Sequence, residues 1–202
     1  INVLLFIAVF LNSSLVTSGD NDLTKSITLD YENRLKAIFE DFHAHPELSL
    51  AEFETARKIS AALKNHGFKV TENVGGTGVV ALLENGKGPL VMMRADMDGL
   101  PLEEKTDLPY ASKDKQLDPV TGNIFPVMHA CGHDVHITAL IGTAKQMVDL
   151  KSEWSGTLML IAQPAEERVL GARNMMNDNL WERFGKPDYA LAFHVSSMLP
   201  SG

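Results

Sequence analysis

Leu90-Val91-Met92-Met93-Arg94-Ala95-Asp96-Met97-Asp98 is an apolar run that closes on two carboxylates. Its unbroken hydrophobicity over Leu90 to Arg94 predicts a strand covered on both faces, as in a parallel sheet flanked by helices. Two later runs have the same form. Thr157 to Ala162 leads through Gln163-Pro164-Ala165 into Glu166 and Glu167, and Tyr189 to Phe193 ends at His194. A helix of about fifteen residues is expected after His133, and Gly171 to Leu180 is helical by pattern. Strands alternating with crossover helices predict an α/β fold with a mixed, mainly parallel sheet.

Toward the amino terminus, Leu35, Ile38, Phe39 and Phe42 mark one face of an amphipathic helix over Tyr31 to Phe42. A second helix is expected from Leu50 to Asn65, stopping at His66-Gly67, and Phe68 to Thr71 reads as a strand. Gly75-Gly76-Thr77-Gly78-Val79-Val80-Ala81 matches a Gly-x-Gly-x-x-Ala dinucleotide fingerprint, but these glycines precede a β-branched run instead of opening a helix. The match is rejected in favour of a turn entering a strand, Val79 to Leu83. Asn85-Gly86-Lys87-Gly88 then predicts a β-hairpin with Leu90 to Met93, paired beyond Pro89. No internal repeat, low-complexity segment or interdomain linker interrupts the chain.

The 202 residues are 45% hydrophobic and 22% charged, enough for one sizeable core. A formal charge of -8 argues against non-specific attraction to nucleic acid or to an anionic membrane, and favours a small-molecule or peptide substrate. Val3 to Leu11 is an apolar run too short to span a bilayer, followed by small residues ending at Ser18. Residues 1–18 are therefore expected to be a signal peptide, incomplete at its start because Ile1 is not preceded by a basic segment. Residues 19–30 are expected to be flexible, and 31–202 to form the catalytic domain. The expected location is secreted or periplasmic, with no stable membrane association after cleavage. The Asn12 sequon lies in the part expected to be removed. Cys131 is the single cysteine, so no intrachain disulfide can form.

Ligands of open α/β sheets bind beyond the carboxyl ends of the strands, so Asp96, Asp98, Glu166, Glu167 and His194 should converge on one crevice. Met128-His129-Ala130-Cys131-Gly132-His133-Asp134, just before the crossover helix, falls at the same edge. Gly132 between Cys131 and His133 lets a thiolate and an imidazole face one ion, and thiolate, imidazole and carboxylate are donors that divalent zinc or manganese accepts. Adjacent Glu166 and Glu167 project to different sides, so one can bind metal while the other accepts a proton from water. Taken singly, Cys-x-His also suits a buried thiol beside a capping histidine, and Glu-Glu suits a solvated pair at a helix start.

Arg94 to Pro101, Met128 to Asp134, Gln163 to Glu167, Phe193-His194-Val195 and His45-Pro46-Glu47-Leu48 together resemble the amidohydrolase branch of the aminoacylase and carboxypeptidase-G-like metallopeptidase family. That branch includes hippurate hydrolase, N-acyl-amino-acid amidohydrolases and plant auxin-conjugate hydrolases. The resemblance covers about residues 31 to 202 in order and implies a three-layer zinc-peptidase-like catalytic domain. It implies that Cys131, His133, Glu167 and His194 bind two divalent metal ions, manganese or zinc, and that Glu166 is the general base. Asp96 stands where related carboxypeptidases have a histidine ligand. Asp98 and Asp134 are candidates for orienting imidazoles or for capping, and His136, His43, His45 and His129 are read as structural. Two departures stand out: Arg168-Val169-Leu170 replaces a glycine-rich run after Glu167, and an inserted α+β lid and dimerisation domain, with a last histidine ligand, is expected beyond residue 202. A homodimer is accordingly possible for the full-length chain, and this fragment alone is expected to be inactive. The implied reaction is hydrolysis of the amide bond of an N-acyl amino acid or related conjugate. A dipeptidase or aminopeptidase with the same metal chemistry, a Cys131 nucleophile and a binding protein on this scaffold remain as rivals.

Overall fold

The computed structural model describes residues 18–196 and 198. Residues 1–17 of the expected signal peptide 1–18, with the Asn12 sequon, lie outside them. Among the described residues, no helix is long and apolar enough to cross a membrane.

The first element differs from expectation. Ser18–Asp30 is a helix, α1, where a flexible segment was expected. Its Leu23 and Ile27, four residues apart and so on one face, line an apolar groove with Leu35, Ala139 and Gly142. Asp30 receives both Nε and Nη2 of Arg34 at 2.9 and 2.7 Å. A π-helical turn, Tyr31–Leu35, leads into α2, Lys36–Ala44, and α3 follows at Phe53–Asn65. Glu47 accepts the Thr55 and Glu54 amides at 2.7 and 3.2 Å, which satisfies the open amino end of α3 from a distance.

The main sheet contains β1 (Lys69–Val74), β2 (Gly78–Asn85), β3 (Leu90–Asp96), β6 (Gly156–Gln163) and β7 (Tyr189–Ala192), in the order β1-β2-β6-β3-β7. A separate two-stranded ribbon, β4 (Lys115–Leu117) and β5 (Ile124–Pro126), lies between β3 and helix α4 (His133–Asp149) in the chain. The expected hairpin between β2 and β3 is not formed: β6 lies between them, antiparallel to β2 and parallel to β3. Almost every residue of β6 is buried, so it gains most from neighbours on both edges and both faces. Pro89 has no N–H to give a hairpin ladder, and its carbonyl instead accepts the Thr157 amide at 2.9 Å. Parallel pairing is confined to β6-β3-β7, with antiparallel pairing on the β1-β2 side.

Helices cover both faces. Ile59, Leu63, Ile137, Leu140, Ile141 and Ala144 of α3 and α4 pack with Val79, Ala81, Met93 and Leu160 on one. On the other, Met175 of α5 (Gly171–Asn177) and Leu180 of α6 (Leu180–Phe184) pack on Val80, Met159 and Ile161. The expected single helix over Gly171 to Leu180 is thus two, broken at Asn179, whose φ is 57°. The three-layer α/β expectation is met, and it leaves the carboxyl ends of β3, β6 and β7 together at one edge.

Candidate metal centre

Strand β3 ends at Asp96, β6 runs out at Gln163, and β7 stops two residues before His194. Helix α4 begins with His133 at the same edge. Its N-cap, Gly132, has φ of 80°, and a Cβ there would come within 2.4 Å of Val195 Cγ2, so glycine lets the segment after β7 close over the Cys131-Gly132-His133 turn. Candidate ligand atoms of Cys131, His133 and Glu167 lie within 4.8 Å of one another, and Cys131 Sγ is 3.3 Å from His194 Nε2. All four residues singled out from the sequence as ligands meet here. Glu166 meets them too, with Oε2 3.8 Å from His133 Nε2.

The hydrogen bonds distinguish donors that are free from donors that are used. His133 Nδ1–H donates to the Asp98 carbonyl oxygen at 2.8 Å, which directs Nε2 into the cluster. Nε2 is buried without a hydrogen-bond partner, 3.5 Å from Asp96 Oδ2 and 3.8 Å from Glu167 Oε1, and Glu167 Oε1 is likewise buried and unpartnered. Two buried lone-pair atoms 3.8 Å apart, an imidazole nitrogen and a carboxylate oxygen that cannot hydrogen-bond to each other, fit a cation between them. Glu167 is the more enclosed of the glutamate pair, its side chain 19% exposed against 38% for Glu166.

Asp96, His133, His136 and His194 also cluster, but His136 is fully engaged. Its Nδ1 pairs with Asp96 Oδ1 at 2.6 Å and its Nε2 accepts the Val195 amide at 3.0 Å. Both contacts suit the structural reading of His136, and they tie the segment following β7, next to His194, to the end of β3. Asp96 is held by Arg94 at 2.7 Å as well, while Arg94 Nε donates to Gln163 Oε1 at 2.8 Å.

Asp98 is a hub the sequence reading only partly foresaw. Its carboxylate accepts the Glu166 and Glu167 amides, both at 3.1 Å, and the Ser49 hydroxyl at 2.6 Å, so it shapes the glutamate loop as well as facing His133. Glu52, not singled out from the sequence, is fully buried and accepts the Ala165 amide at 2.7 Å and the Thr77 hydroxyl at 2.6 Å. Ala165 has φ of 45°, and a Cβ on Gly171 would lie 1.5 Å from Pro164 O, so the turn carrying Glu166 is packed against the start of α5. Asp134 orients His43, not a ligand imidazole: Asp134 Oδ2 and Glu104 Oε1 lie 2.7 and 2.9 Å from the two His43 nitrogens.

Carboxylates outweigh cations at the centre. Burial pushes Asp96 up, but the His136 hydrogen bond and the His133 and Arg94 charges prevail and hold it at about 2. Burial also pushes Glu167 up, with the Cys131 and His133 contacts opposing and the Asp98 and Glu166 charges adding to the rise. His133 is pushed down by burial and raised overall by its Asp98 hydrogen bond and the surrounding acids. Burial and then the charge on Glu167 push the Cys131 thiol up to about 12. Such surroundings disfavour a nucleophilic thiolate and favour a bound cation, which would compete with the proton on both residues.

His43 supplies a pH test. Burial lowers its pKa, but hydrogen bonds to Glu104 and Asp134 outweigh this and raise it. The stabilisation is therefore complete below the unfolded value, near 6.5, and is lost as pH rises through the folded value. Across about pH 6 to 9, the urea midpoint of the wild type should fall relative to His43→Gln. A constant difference between the two would show that the triad carries no proton-linked stability.

Residues 92–202 match the model of peptidase family M20/M25/M40. Hippurate hydrolase of Campylobacter jejuni is 41% identical over 167 residues, covering 82% of this chain and 40% of that protein. The IAA-amino acid hydrolase ILR1-like 5 of Arabidopsis thaliana is 34% identical over 200 residues, covering 95% and 43%. Among solved structures, a Bacillus subtilis protein described as a dinuclear metal-binding peptidase of the same family superposes with a TM-score of 0.74 at 36% identity, covering 85% of this chain and 45% of that one. The chain thus spans less than half the length of these relatives. Taken with the strand-end cluster, the family match over more than half of its residues places this chain in peptidase family M20/M25/M40.

Proposed function

We propose that the full-length protein hydrolyses the amide bond of N-acyl amino acids or related amino-acid conjugates. The observation that carries this reading is the pair of orphaned buried atoms, His133 Nε2 and Glu167 Oε1, with Glu166 beside them. Cys131, His133, Glu167 and His194 would hold two divalent ions, manganese or zinc, which supply Lewis acidity toward the amide carbonyl and make water easier to deprotonate. Glu166 takes the proton of the attacking water and returns it to the departing nitrogen. Asp98 holds the Glu166 and Glu167 amides through both steps. The names of the relatives, hippurate hydrolase and an IAA-amino acid hydrolase, support a conjugated amino acid over an unblocked peptide. The reading includes export, resting on the amino-terminal apolar run, and a homodimer, resting on the family resemblance.

The test uses the full-length protein, N-acyl amino acids such as hippurate, and unblocked dipeptides. Chelation should abolish turnover of the acyl amino acids, manganese or zinc should restore it, and dipeptides should be turned over at least tenfold more slowly, about 1.4 kcal/mol of discrimination. A preference for dipeptides would favour the dipeptidase reading. Activity indifferent to chelators and lost on thiol alkylation would favour a Cys131 nucleophile.

A further inference from the structure

Immediately beyond the glutamate pair, Arg168-Val169-Leu170 stands where the resemblance implies glycines, and each of the first two residues has an unusual setting. Val169 has φ of 55°, a conformation that a β-branched residue adopts only under constraint, and the residue is 80% exposed. Glycine or asparagine would relieve both the strain and the apolar exposure. The constraint is visible. The Val169 amide donates to the Glu166 carbonyl at 2.7 Å, and the Leu170 and Gly171 amides both donate to Ala165 O at 3.2 Å. Arg168 Nη2 reaches Asp118 Oδ2 at 2.7 Å, on the turn joining β4 to β5.

That turn is itself braced. Asp118 is buried and accepts the Val120 amide at 2.9 Å and the Thr121 hydroxyl at 3.0 Å. The ribbon is tied to the segment before α3 by Gln116, whose side chain accepts the Leu48 amide at 2.6 Å and donates to Ala51 O at 3.0 Å. Val169 is therefore fixed relative to Glu166 on one side and to the β4–β5 ribbon on the other. Backbone strain of this kind clusters at active sites and ligand clamps.

We propose that Val169 is a specificity-determining contact for an apolar group of the substrate, and that Arg168 is a positioning residue that holds it through Asp118. This rests on the amidohydrolase reading. An apolar contact three residues along the chain from the general base discriminates between substrates by size, because burying each added methylene against Val169 favours binding.

In the full-length metal-loaded protein, kcat/KM would be measured along two series: N-acyl glycines from acetyl to hexanoyl and benzoyl, and N-acetyl amino acids from glycine to leucine and phenylalanine. Val169→Asn replaces the apolar side chain with a polar one and suits positive φ, so its melting temperature should equal or exceed that of the wild type. The ratio of kcat/KM between the largest and smallest members of one series should fall about tenfold, while the ratio in the other series holds. Arg168→Met and Asp118→Asn should lower the same ratio, and the double variant should lower it no further than either single change, since all three break one contact. Unchanged ratios in both series, or a common factor lost for every substrate, would overturn the proposal and mean that Val169 makes no size-selective contact with substrate. If the wild type turned over none of the conjugates, the amidohydrolase reading would fail and this inference with it.

Discussion

Glu166→Gln is expected to lower kcat on an N-acyl amino acid by roughly a thousandfold, within the range general acid–base catalysis supplies, while metal content stays at the wild-type level. The amide side chain keeps the volume and the partly exposed position beside His133 but cannot take up a proton. Glu167→Gln should differ in kind: the enclosed, unpartnered Oε1 belongs to Glu167, so metal content as well as turnover should fall. Elemental analysis alongside steady-state kinetics separates the two. Equal loss of metal in both variants would mean that the division of labour between the glutamates has been misassigned.

Asp98→Ala has the second large expected effect, and it falls on stability as well as on the site. The substitution strands the Glu166 and Glu167 amides and the Ser49 hydroxyl, each of which now donates to this buried carboxylate. Unpaired buried donors cost about 1–3 kcal/mol each, so a total loss near 3–5 kcal/mol is expected once some rebonding to water is allowed. Against a typical domain stability of roughly 5–15 kcal/mol this is severe. Metal affinity should fall about 10–100-fold, because the loop carrying Glu166 and Glu167 loses its anchor, even though the Asp98 carbonyl still holds the His133 ring. Urea unfolding and metal titration would measure both; a stability loss under about 1 kcal/mol would show that the hub is not structural. The pH dependence has a defined sign. Burial raises the Asp98 pKa, but His133, Ser49 and the Glu167 amide outweigh it and lower it. Its contribution is therefore complete above an unfolded value of about 3.9 and is lost as pH falls through the folded value. Asp98→Asn should remove that acid-side dependence while costing less than alanine at neutral pH, since one side-chain oxygen can still accept an amide.

Much of the candidate site was legible because it depends on local pattern. Unbroken apolar runs locate β3 and β6, the polar residues that follow them must emerge at a sheet edge, and Cys131-Gly132-His133 precedes a helix that starts at that edge. Strand order was less legible. The Asn85 to Gly88 turn favours a local hairpin, yet β6 takes the place beside β2 because burying its full length outweighs the short-range pairing. Residues 19–30, polar enough to suggest a flexible segment, are helical once Leu23 and Ile27 face α4.

The sequence by itself determined which donor types gather at the strand ends and which family they belong to, because both follow from residue identity and spacing. Only the tertiary structure decided which donors are free. His136 and His133 are three residues apart on one helix and chemically identical, but Val195 and Asp96 occupy both nitrogens of the first, whereas a backbone carbonyl takes one nitrogen of the second and leaves the other facing Glu167. Asp118 and Arg168, fifty positions apart, carry no local pattern that pairs them. Hydrogen-bond partnership over such separations is set by packing, which no local period in the chain encodes.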